Sequence, residues 1–174
     1  MTKSKKEITK NDRKILNALI ENARQSMIEI SEKTGLSRQT IQKTILKLEK
    51  NHAIWGYQAI FDEQKNGLKE YLILIKRTTK PVNEKIVDKV ILAKTEEAAL
   101  KMGIKYITSL YTHGSYDLIL IFMASDFKDV KKFIEYIKSL YTEYFADVQI
   151  LESLFTIRRQ GILNPDVNDL KQFM

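Results

Sequence analysis

SMIEISEKTGLSRQTIQKTILKLE, residues 26–49, determines how the N-terminal part of this chain folds. Ser26 and Glu29 have the spacing of a capping box, which predicts that a helix begins there. Gly35 can take the left-handed conformation that ends such a helix, and Ser37 can cap a second helix directly after it. Two short helices joined by a glycine turn predict a helix-turn-helix unit.

The second helix of this pair has one apolar stripe and one polar face. Ile41, Ile45 and Leu48 recur at positions i, i+4 and i+7, which places them on a single buried face. Polar side chains of the same helix point elsewhere. The second helix of a helix-turn-helix enters the major groove, so we expect double-stranded DNA as a partner.

The polar face supplies the predicted DNA contacts. Arg38 can donate two hydrogen bonds to guanine, and Gln39 or Gln42 can pair with adenine. Hydroxyl side chains at the start of the helix are suited to binding phosphate. Lys43 and Lys47 would attract the DNA backbone without reading its sequence. The predicted DNA-binding residues are Ser37, Arg38, Gln39, Thr40, Gln42, Lys43 and Lys47.

The net charge of +7 is unevenly distributed along the chain. Residues 1–62 carry 12 Lys and Arg against 7 Asp and Glu, whereas residues 63–174 carry 17 against 15. A basic excess beside a helix-turn-helix is typical of proteins that bind phosphate. The alternative explanation is a merely lysine-rich composition, so the charge supports DNA binding only together with the motif.

The composition gives no sign of a membrane protein, a secreted protein or a metal-binding protein. No apolar run approaches the roughly 18 residues that span a bilayer, and the basic N-terminus leads into no apolar signal segment. We therefore expect a cytoplasmic protein without a membrane partner. The chain has no cysteine and only two histidines, which excludes disulfides, sulfur-bound metals and a histidine metal cluster. We expect neither a metal nor a cofactor.

The motif is flanked by a first helix and by a linker. Thr9 and Asp12 form a capping-box-like start. The apolar face predicted for the helix that follows consists of Ile15, Leu16, Leu19 and Ile20. Residues 54–61, IWGYQAIF, are β-prone and predict a linking strand. The predicted divisions are a DNA-binding domain at 1–53, a linking strand and loop at 54–68, a C-terminal domain at 69–160 and a tail at 161–174.

The C-terminal domain is predicted to be a βαββαβ, ferredoxin-like fold, so the whole chain is of the α+β class. Helices are predicted from Asn83, from Thr95 as a cap, and from Asp126 as a cap. The last of these has an apolar face that includes Val130 and Leu140. The predicted strands are residues 71–75, 106–112, 118–123 and 149–157.

The apolar character of two strands indicates how the sheet is covered. Strands 71–75 and 118–123 are apolar on both faces, which predicts that they are central. Helices cover one face of such a sheet, so the other face needs a cover as well. We infer a homodimer through this face, with Trp55 and Tyr57 of the linker packed at an interface. The alternative cover is the protein's own helical unit or tail.

Three segments resemble the Lrp/AsnC (feast/famine) family of transcription regulators. Residues 12–49 are similar to the family signature through their whole length, and residues 54–62, IWGYQAIFD, resemble its entry into the connecting strand. Residues 113–122, HGSYDLILIF, fit its G-x-Y-D turn between the second and third strands. The resemblance covers about residues 8–158 and implies a winged-helix-like N-terminal domain followed by a RAM (αβ-sandwich) domain.

The resemblance also implies an amino acid or another small effector, bound by the C-terminal domain, and assembly of dimers into octamers or larger discs. By this likeness the tentative effector-binding residues are Gly114, Ser115, Tyr116 and Asp117. A hairpin turn with a capping aspartate is the alternative interpretation of the same residues. The chain departs from the family at Thr44, where arginine is usual, and at His52, where glycine is usual. The segment 77–114 is also longer than typical, with an extra helical piece near 92–103.

Other functions are compatible with parts of this pattern. The chain has no nucleophile–base pair, no phosphate-cradling glycine loop and no metal-ligand spacing, so we do not expect an enzyme. An architectural, chromatin-like DNA-binding protein of low sequence specificity would share the motif. A metabolite-binding module whose helical unit contacts proteins would predict no DNA binding. The favoured hypothesis is a sequence-specific, homo-oligomeric transcriptional regulator.

Overall fold

The computed structural model describes residues 8–91 and 95–173. The chain divides into two compact units. The first ends at Ile60 and also includes Gln160–Ile162, and the second comprises the remainder from Phe61. No helix in the described ranges is long and apolar enough to cross a membrane.

Three helices make up most of the first unit: α1 (Lys10–Glu21), α2 (Met27–Thr34) and α3 (Arg38–Lys50). The predicted capping boxes at α1 and α2 are both formed, and Gly35 ends α2 with φ of 71°. The buried core consists of Ile15, Ala18, Ile30 and Ile41, with Leu19, Leu36 and Ile45 packed against it. The predicted helix-turn-helix is confirmed.

One residue assigned to the apolar face of α1 lies outside it. Ile20 is 73% exposed, whereas Ala18 is buried. Ile20 lies about 140° around the helix from Ile15 at 100° per residue, while Ala18 lies about 60° from it. The apolar face therefore includes the small alanine and excludes the larger isoleucine.

The linker does not form the predicted strand within the described chain. Residues 54–61 have no ladder partner there, and a strand requires one. Trp55 is 94% exposed, and its indole nitrogen donates a hydrogen bond to the carbonyl of His52 at 2.9 Å. His52 itself has φ of 56°, a left-handed conformation that glycine adopts more readily.

The second unit contains a four-stranded antiparallel sheet with the order β2-β3-β1-β4. The two strands predicted to be central are central, and the α+β fold class is confirmed. The strands of this sheet are β1 (Lys69–Arg77), β2 (Lys105–Tyr111), β3 (Leu118–Ala124) and β4 (Phe145–Glu152). The helices are α4 (Glu84–Ile91), α5 (Glu96–Lys101) and α6 (Phe127–Tyr141). Two short strands, β5 (Arg158–Arg159) and β6 (Ile162–Leu163), and 3-10 turns at Gln64–Asn66, Thr142–Tyr144 and Asp169–Phe173 complete the elements.

Three local predictions for this unit are wrong. The last strand ends at Glu152 rather than at residue 157. Its ladder with β1 ends at the pair Tyr71–Glu152, close to the start of β1. Thr95 occupies the predicted cap position directly before α5, but its side chain makes no capping hydrogen bond, since its backbone is already helical with φ of −85°. Leu140 is 43% exposed because it lies at the edge of the buried stripe of α6. Residues 92–94, part of the predicted extra segment, lie outside the described residues.

The main core lies between the sheet and its helices. Tyr71, Ile73 and Phe122 of the sheet are fully buried against Val130 and Phe133 of α6. Asp126 caps α6 as predicted, accepting a hydrogen bond from the backbone nitrogen of Lys128.

The opposite face of the sheet is apolar as well, and we call it the second sheet face. Successive side chains alternate between the faces of a strand, so β1 directs Leu72 and Leu74 to this side. The strand register continues the patch across all four strands. The second sheet face comprises Leu72, Leu74, Leu110, Ile119, Ile121 and Leu151. Leu110 and Leu151, on the two edge strands, are 45% and 48% exposed.

A partly buried ion cluster joins the start of the second unit to the segment that follows β4. The guanidinium of Arg159 lies 3.1 Å from a carboxylate oxygen of Glu63 and 2.7 Å from one of Glu70. Burial raises the pKa of Glu70, an effect that the charge of Arg159 opposes. Asn164 also donates to the carbonyl of Thr156 at 2.9 Å. The predicted tail is thus fixed by specific polar contacts at its beginning.

Candidate nucleic-acid interface

The turn between α2 and α3 is fixed by hydrogen bonds at both of its ends. The nitrogen of Gly35 donates to the carbonyl of Ser31 at 2.8 Å, and the hydroxyl of Ser31 donates to the carbonyl of Leu36 at 2.7 Å. Lys14 of α1 donates to the carbonyl of Thr34, the last residue of α2, at 3.0 Å. These contacts hold the start of α3 at a defined angle to α2.

The start of α3 is capped as predicted. The hydroxyl oxygen of Ser37 accepts a hydrogen bond from the backbone nitrogen of Thr40 at 3.3 Å. The two hydroxyl groups also lie 2.9 Å apart and share a hydrogen bond. The remaining free N–H groups of this first turn lie at the positive end of the helix dipole, where phosphate binds favourably.

The first two turns of α3 present a continuous polar surface. Arg38, Gln39, Gln42 and Lys43 are all exposed, and they fall within an arc of about 140° on the helix. Ile41, by contrast, is fully buried against the other two helices. Among the described residues neither Arg38 nor Lys43 forms an ion pair. This surface, which we call the α3 polar face, is free to contact a duplex.

Lys47 has a different environment from the other predicted contacts. Its ammonium lies 2.7 Å and 2.9 Å from the two carboxylate oxygens of Asp12, whose side chain is only 3% exposed. Asp12 also accepts a hydrogen bond from the backbone nitrogen of Thr9 at 2.9 Å. Burial would raise the pKa of Asp12, but the hydrogen bonds from Lys47 and Thr9 lower it below its ordinary value. Lys47 therefore stabilises the fold, and its DNA contact remains a prediction.

Sequence reasoning did not find the contacts of Lys14, Ser31 and Asp12 that hold this interface in shape. Lys14 and Thr34 are separated by 20 positions, and Asp12 and Lys47 by 35. Periodicity shows which side chains share a helix face but not which distant residue each one meets. An aspartate in the first turn of a helix is a weak signal in the sequence, because such a residue usually serves only as a cap.

The predicted effector residues form a turn that is attached to β1. Asp117 donates its backbone N–H to the carbonyl of Ile75 at 2.9 Å, and its carboxylate accepts the N–H of Arg77 at 2.8 Å. The hydroxyl of Thr112 donates to the carbonyl of Tyr116 at 2.6 Å. Gly114 and Ser115 are exposed, and Gly114 has φ of 147° with open space around it. The four predicted effector residues therefore form a single turn, and Asp117 attaches the base of this turn to β1.

Comparisons with known proteins agree with this architecture. The family described as winged helix-turn-helix DNA-binding matches residues 8–54. An uncharacterized HTH-type transcriptional regulator of Pyrococcus furiosus is 31% identical over 136 residues, which cover 77% of this chain and 84% of the relative. The capped helix-turn-helix and these matches together define the protein as an HTH-type transcriptional regulator.

The solved structures extend the similarity to the C-terminal unit. An AsnC family transcriptional regulator from Agrobacterium tumefaciens covers 95% of this chain and 99% of its own, with a TM-score of 0.65 and 19% identity. A transcriptional regulator of Neisseria meningitidis, solved in complex with L-methionine, covers 97% and 100%, with a TM-score of 0.62 and 20% identity. At these identities the likeness concerns the fold. The chain is thus an HTH-type transcriptional regulator with the fold of the Lrp/AsnC family.

The relatives are regulators and not enzymes. Within the described ranges, no group of three or more histidine, aspartate or glutamate side chains could hold a metal ion.

Proposed function

We propose that this protein is a sequence-specific regulator that reads the major groove with the α3 polar face. The observation that supports this most directly is the exposure of Arg38, Gln39 and Gln42 on the first two turns of a capped helix. These three side chain types form paired hydrogen bonds with guanine and adenine. Ser37 and Thr40 would bind phosphate at the start of the helix, and Lys43 would add sequence-independent attraction.

The protein acts as a homodimer in this proposal. The six apolar residues of the second sheet face favour burial against a second copy, because removing apolar surface from water stabilises by about 25 cal/mol per Å². The exposed Trp55 of the linker offers a further apolar surface for a partner. A dimer presents two recognition helices, so the expected operator is an imperfect palindrome with half-sites about 34 Å apart. Octamers or larger assemblies would be built from these dimers.

Regulation by a small effector is the third part of the proposal. The relative from Neisseria meningitidis was solved with L-methionine. In this chain Gly114 and Ser115 present exposed backbone at the turn, which could hold a carboxylate. Asp117 could meet an amino group, although its carboxylate already accepts a backbone N–H. No other cofactor is proposed.

An architectural role in DNA compaction is the second candidate. The basic excess of the N-terminal 62 residues, 12 against 7, favours binding to any duplex. Such a protein would bind cognate and random DNA almost equally, with a steep dependence on salt.

The experiment that separates these functions is selection of bound sequences from a random duplex pool at about 150 mM salt. It is run with and without mixed amino acids. An enriched palindrome indicates a sequence-specific dimer, and a change in enrichment with an amino acid indicates an effector. A pool that is retained without enrichment would support the architectural role and contradict the proposal.

The dimer surface is tested with a matched pair of variants. Leu110 of the second sheet face and Leu140 of α6 are 45% and 43% exposed, so either can be replaced by lysine at a similar cost to the protomer. Sedimentation should show dissociation for Leu110→Lys and no change for Leu140→Lys. If both variants sediment as the unmodified dimer does, the second sheet face is not the dimer interface.

A further inference from the structure

The second unit contains a cavity of about 480 Å³ at one end of the sheet. Its walls are mainly apolar and aromatic. Its apolar and aromatic lining includes Ile75, Val82, Ile86, Val87, Tyr144 and Phe145. Binding sites for small molecules have volumes of about 300–1,000 Å³ and similar linings. The cavity is therefore large enough for one small organic molecule.

Arg77 is the charged residue on the wall of this cavity. Its guanidinium donates to the hydroxyl of Tyr111 at 2.5 Å and to the carbonyl of Lys80 at 3.3 Å. Its Nε is buried and has no hydrogen-bond partner. Among the described residues, no carboxylate lies within ion-pairing distance of Arg77. A guanidinium next to apolar walls with an unused buried N–H is an unfavourable arrangement until an anion binds it.

The lining also indicates which kind of anion fits. The planar guanidinium matches the geometry of a carboxylate. No aspartate or glutamate is among the described residues of the cavity wall, so nothing there would neutralise an ammonium group. Burying an unpaired ammonium is costly. A carboxylate with an apolar body and no amino group is thus favoured over an amino acid.

We propose that this cavity binds a hydrophobic monocarboxylate that lacks an amino group, with its carboxylate on Arg77 and an aromatic or branched body among the apolar walls. The site is separate from the turn formed by residues 114–117, but the two are connected. The backbone N–H of Arg77 donates to the carboxylate of Asp117. A ligand that shifts Arg77 therefore acts directly on the base of that turn.

This inference adds a second ligand site, for a different class of ligand, to the proposed regulator, and it rests on the proposed function only for its effect on DNA binding. Binding itself is measured without DNA. Failure of the sequence selection described above would therefore leave the cavity inference standing, and absence of ligand binding would leave sequence-specific DNA recognition standing.

The test uses the full chain and three compounds that share one body. 3-Phenylpropionate has the carboxylate alone, L-phenylalanine adds an amino group, and 3-phenylpropan-1-ol lacks the carboxylate. Calorimetric titration should give at least tenfold tighter binding of 3-phenylpropionate than of the other two. In parallel, methyl NMR shifts should appear at Ile75, Ile86 and Val87. Shifts confined to other residues, or no binding at millimolar concentration, would overturn the proposal.

Two arginine variants test whether Arg77 binds the carboxylate or only adds to the overall positive charge of the protein. Arg77→Met should weaken 3-phenylpropionate binding at least tenfold, whereas Arg24→Met, in the first unit, should leave it unchanged. Val87→Phe, which fills the cavity from a wall residue that is 38% exposed, should abolish binding even if Arg77→Met folds poorly. Unchanged affinity in Val87→Phe would contradict the site. Equal affinity for 3-phenylpropionate and L-phenylalanine would contradict the ligand class.

Discussion

Lys47 and Asp12 join the third helix to the first through a carboxylate that is almost completely buried, with nitrogen–oxygen distances of 2.7 and 2.9 Å. A lysine on a recognition helix would ordinarily be tested as a DNA contact. Here its removal also leaves a buried charge without its partner. Stability and DNA binding must therefore be measured separately at this position.

Lys47→Ala is expected to destabilise the first unit by about 1–3 kcal/mol. Removing one partner of a fully buried ion pair costs about 3–5 kcal/mol. We expect a smaller loss here because Lys47 is 43% exposed and water screens the pair. Urea unfolding followed by the NMR signals of Ile15 and Ile41 measures this change. Lys43→Ala, which removes an exposed lysine without an ion pair among the described residues, should shift stability by less than about 0.5 kcal/mol. Equal stability of the two variants would show that the pair contributes nothing.

Arg38→Ala is expected to reduce sequence discrimination. Loss of a paired contact to guanine should cost about 1–3 kcal/mol on the selected operator and much less on random DNA. Lys43→Ala should weaken binding to both by a similar factor and reduce the salt slope by about one. Competition binding at several salt concentrations measures both effects. An equal loss on operator and random DNA for Arg38→Ala would contradict base reading by this residue.

Gly35→Ala should destabilise the first unit by about 1 kcal/mol. Gly35 has φ of 71°, and no atom lies within 4 Å of the position that a Cβ would occupy. The cost therefore comes from the backbone conformation alone. Gly35→Asn should cost less, because asparagine tolerates this conformation better. Thermal unfolding of the two variants should rank them in that order, and a more stable Gly35→Ala variant would be inconsistent with the observed turn.

Asp117 can be tested for structural and effector roles with two substitutions. Asp117→Ala leaves the N–H of Arg77 without its acceptor and should destabilise the second unit by about 1–2 kcal/mol. Asp117→Asn retains an acceptor oxygen and should stay close to the unmodified stability. If the charge of Asp117 binds an amino group, Asp117→Asn should nevertheless lose any amino-acid response in the DNA selection. A full response in Asp117→Asn would limit this residue to holding the turn.

The stability of the first unit should fall in acid because of Asp12. The folded-state pKa of Asp12 lies below its ordinary value of 3.8. Its contribution is therefore fully present above the unfolded pKa and is lost as the pH falls through the folded pKa. Urea unfolding at pH 7 and at pH 3 should show a smaller decrease for Lys47→Met than for the unmodified protein. The backbone N–H of Ser26 lowers the pKa of Glu29, so the stabilising contribution of Glu29 is also lost in acid. This loss is the same in the variant and in the unmodified protein. An identical decrease in both would exclude the ion pair as its cause.

Local rules predicted the helix-turn-helix well. The boxes at Thr9 and Ser26, the cap at Ser37 and the left-handed Gly35 all depend on residues within four positions of one another. The order of the sheet was also predictable, because only central strands such as β1 need apolar side chains on both faces. These features follow from residue type and spacing alone.

Features that depend on distant partners were not predictable in this way. The linker has a strand-like sequence but no ladder partner in the described chain, and the end of β4 lies beside the start of β1, which is its partner strand. Lys47 was assigned by its position on a polar helix face, whereas Asp12 on another helix decides its contact. Arg77 gave no sequence signal as a binding residue, because the cavity beside it is formed by separate elements.

The ion cluster of Arg159 with Glu63 and Glu70 has a mechanical consequence. It ties the entry of the second unit to the chain that leaves β4, with distances of 3.1 and 2.7 Å. Tension that arrives along the linker from a DNA-bound helical unit reaches Glu63 before it reaches the hydrogen bonds of β1. Because Glu70 lies on β1, Arg159 would divide that load between the first strand of the sheet and the chain that follows β4.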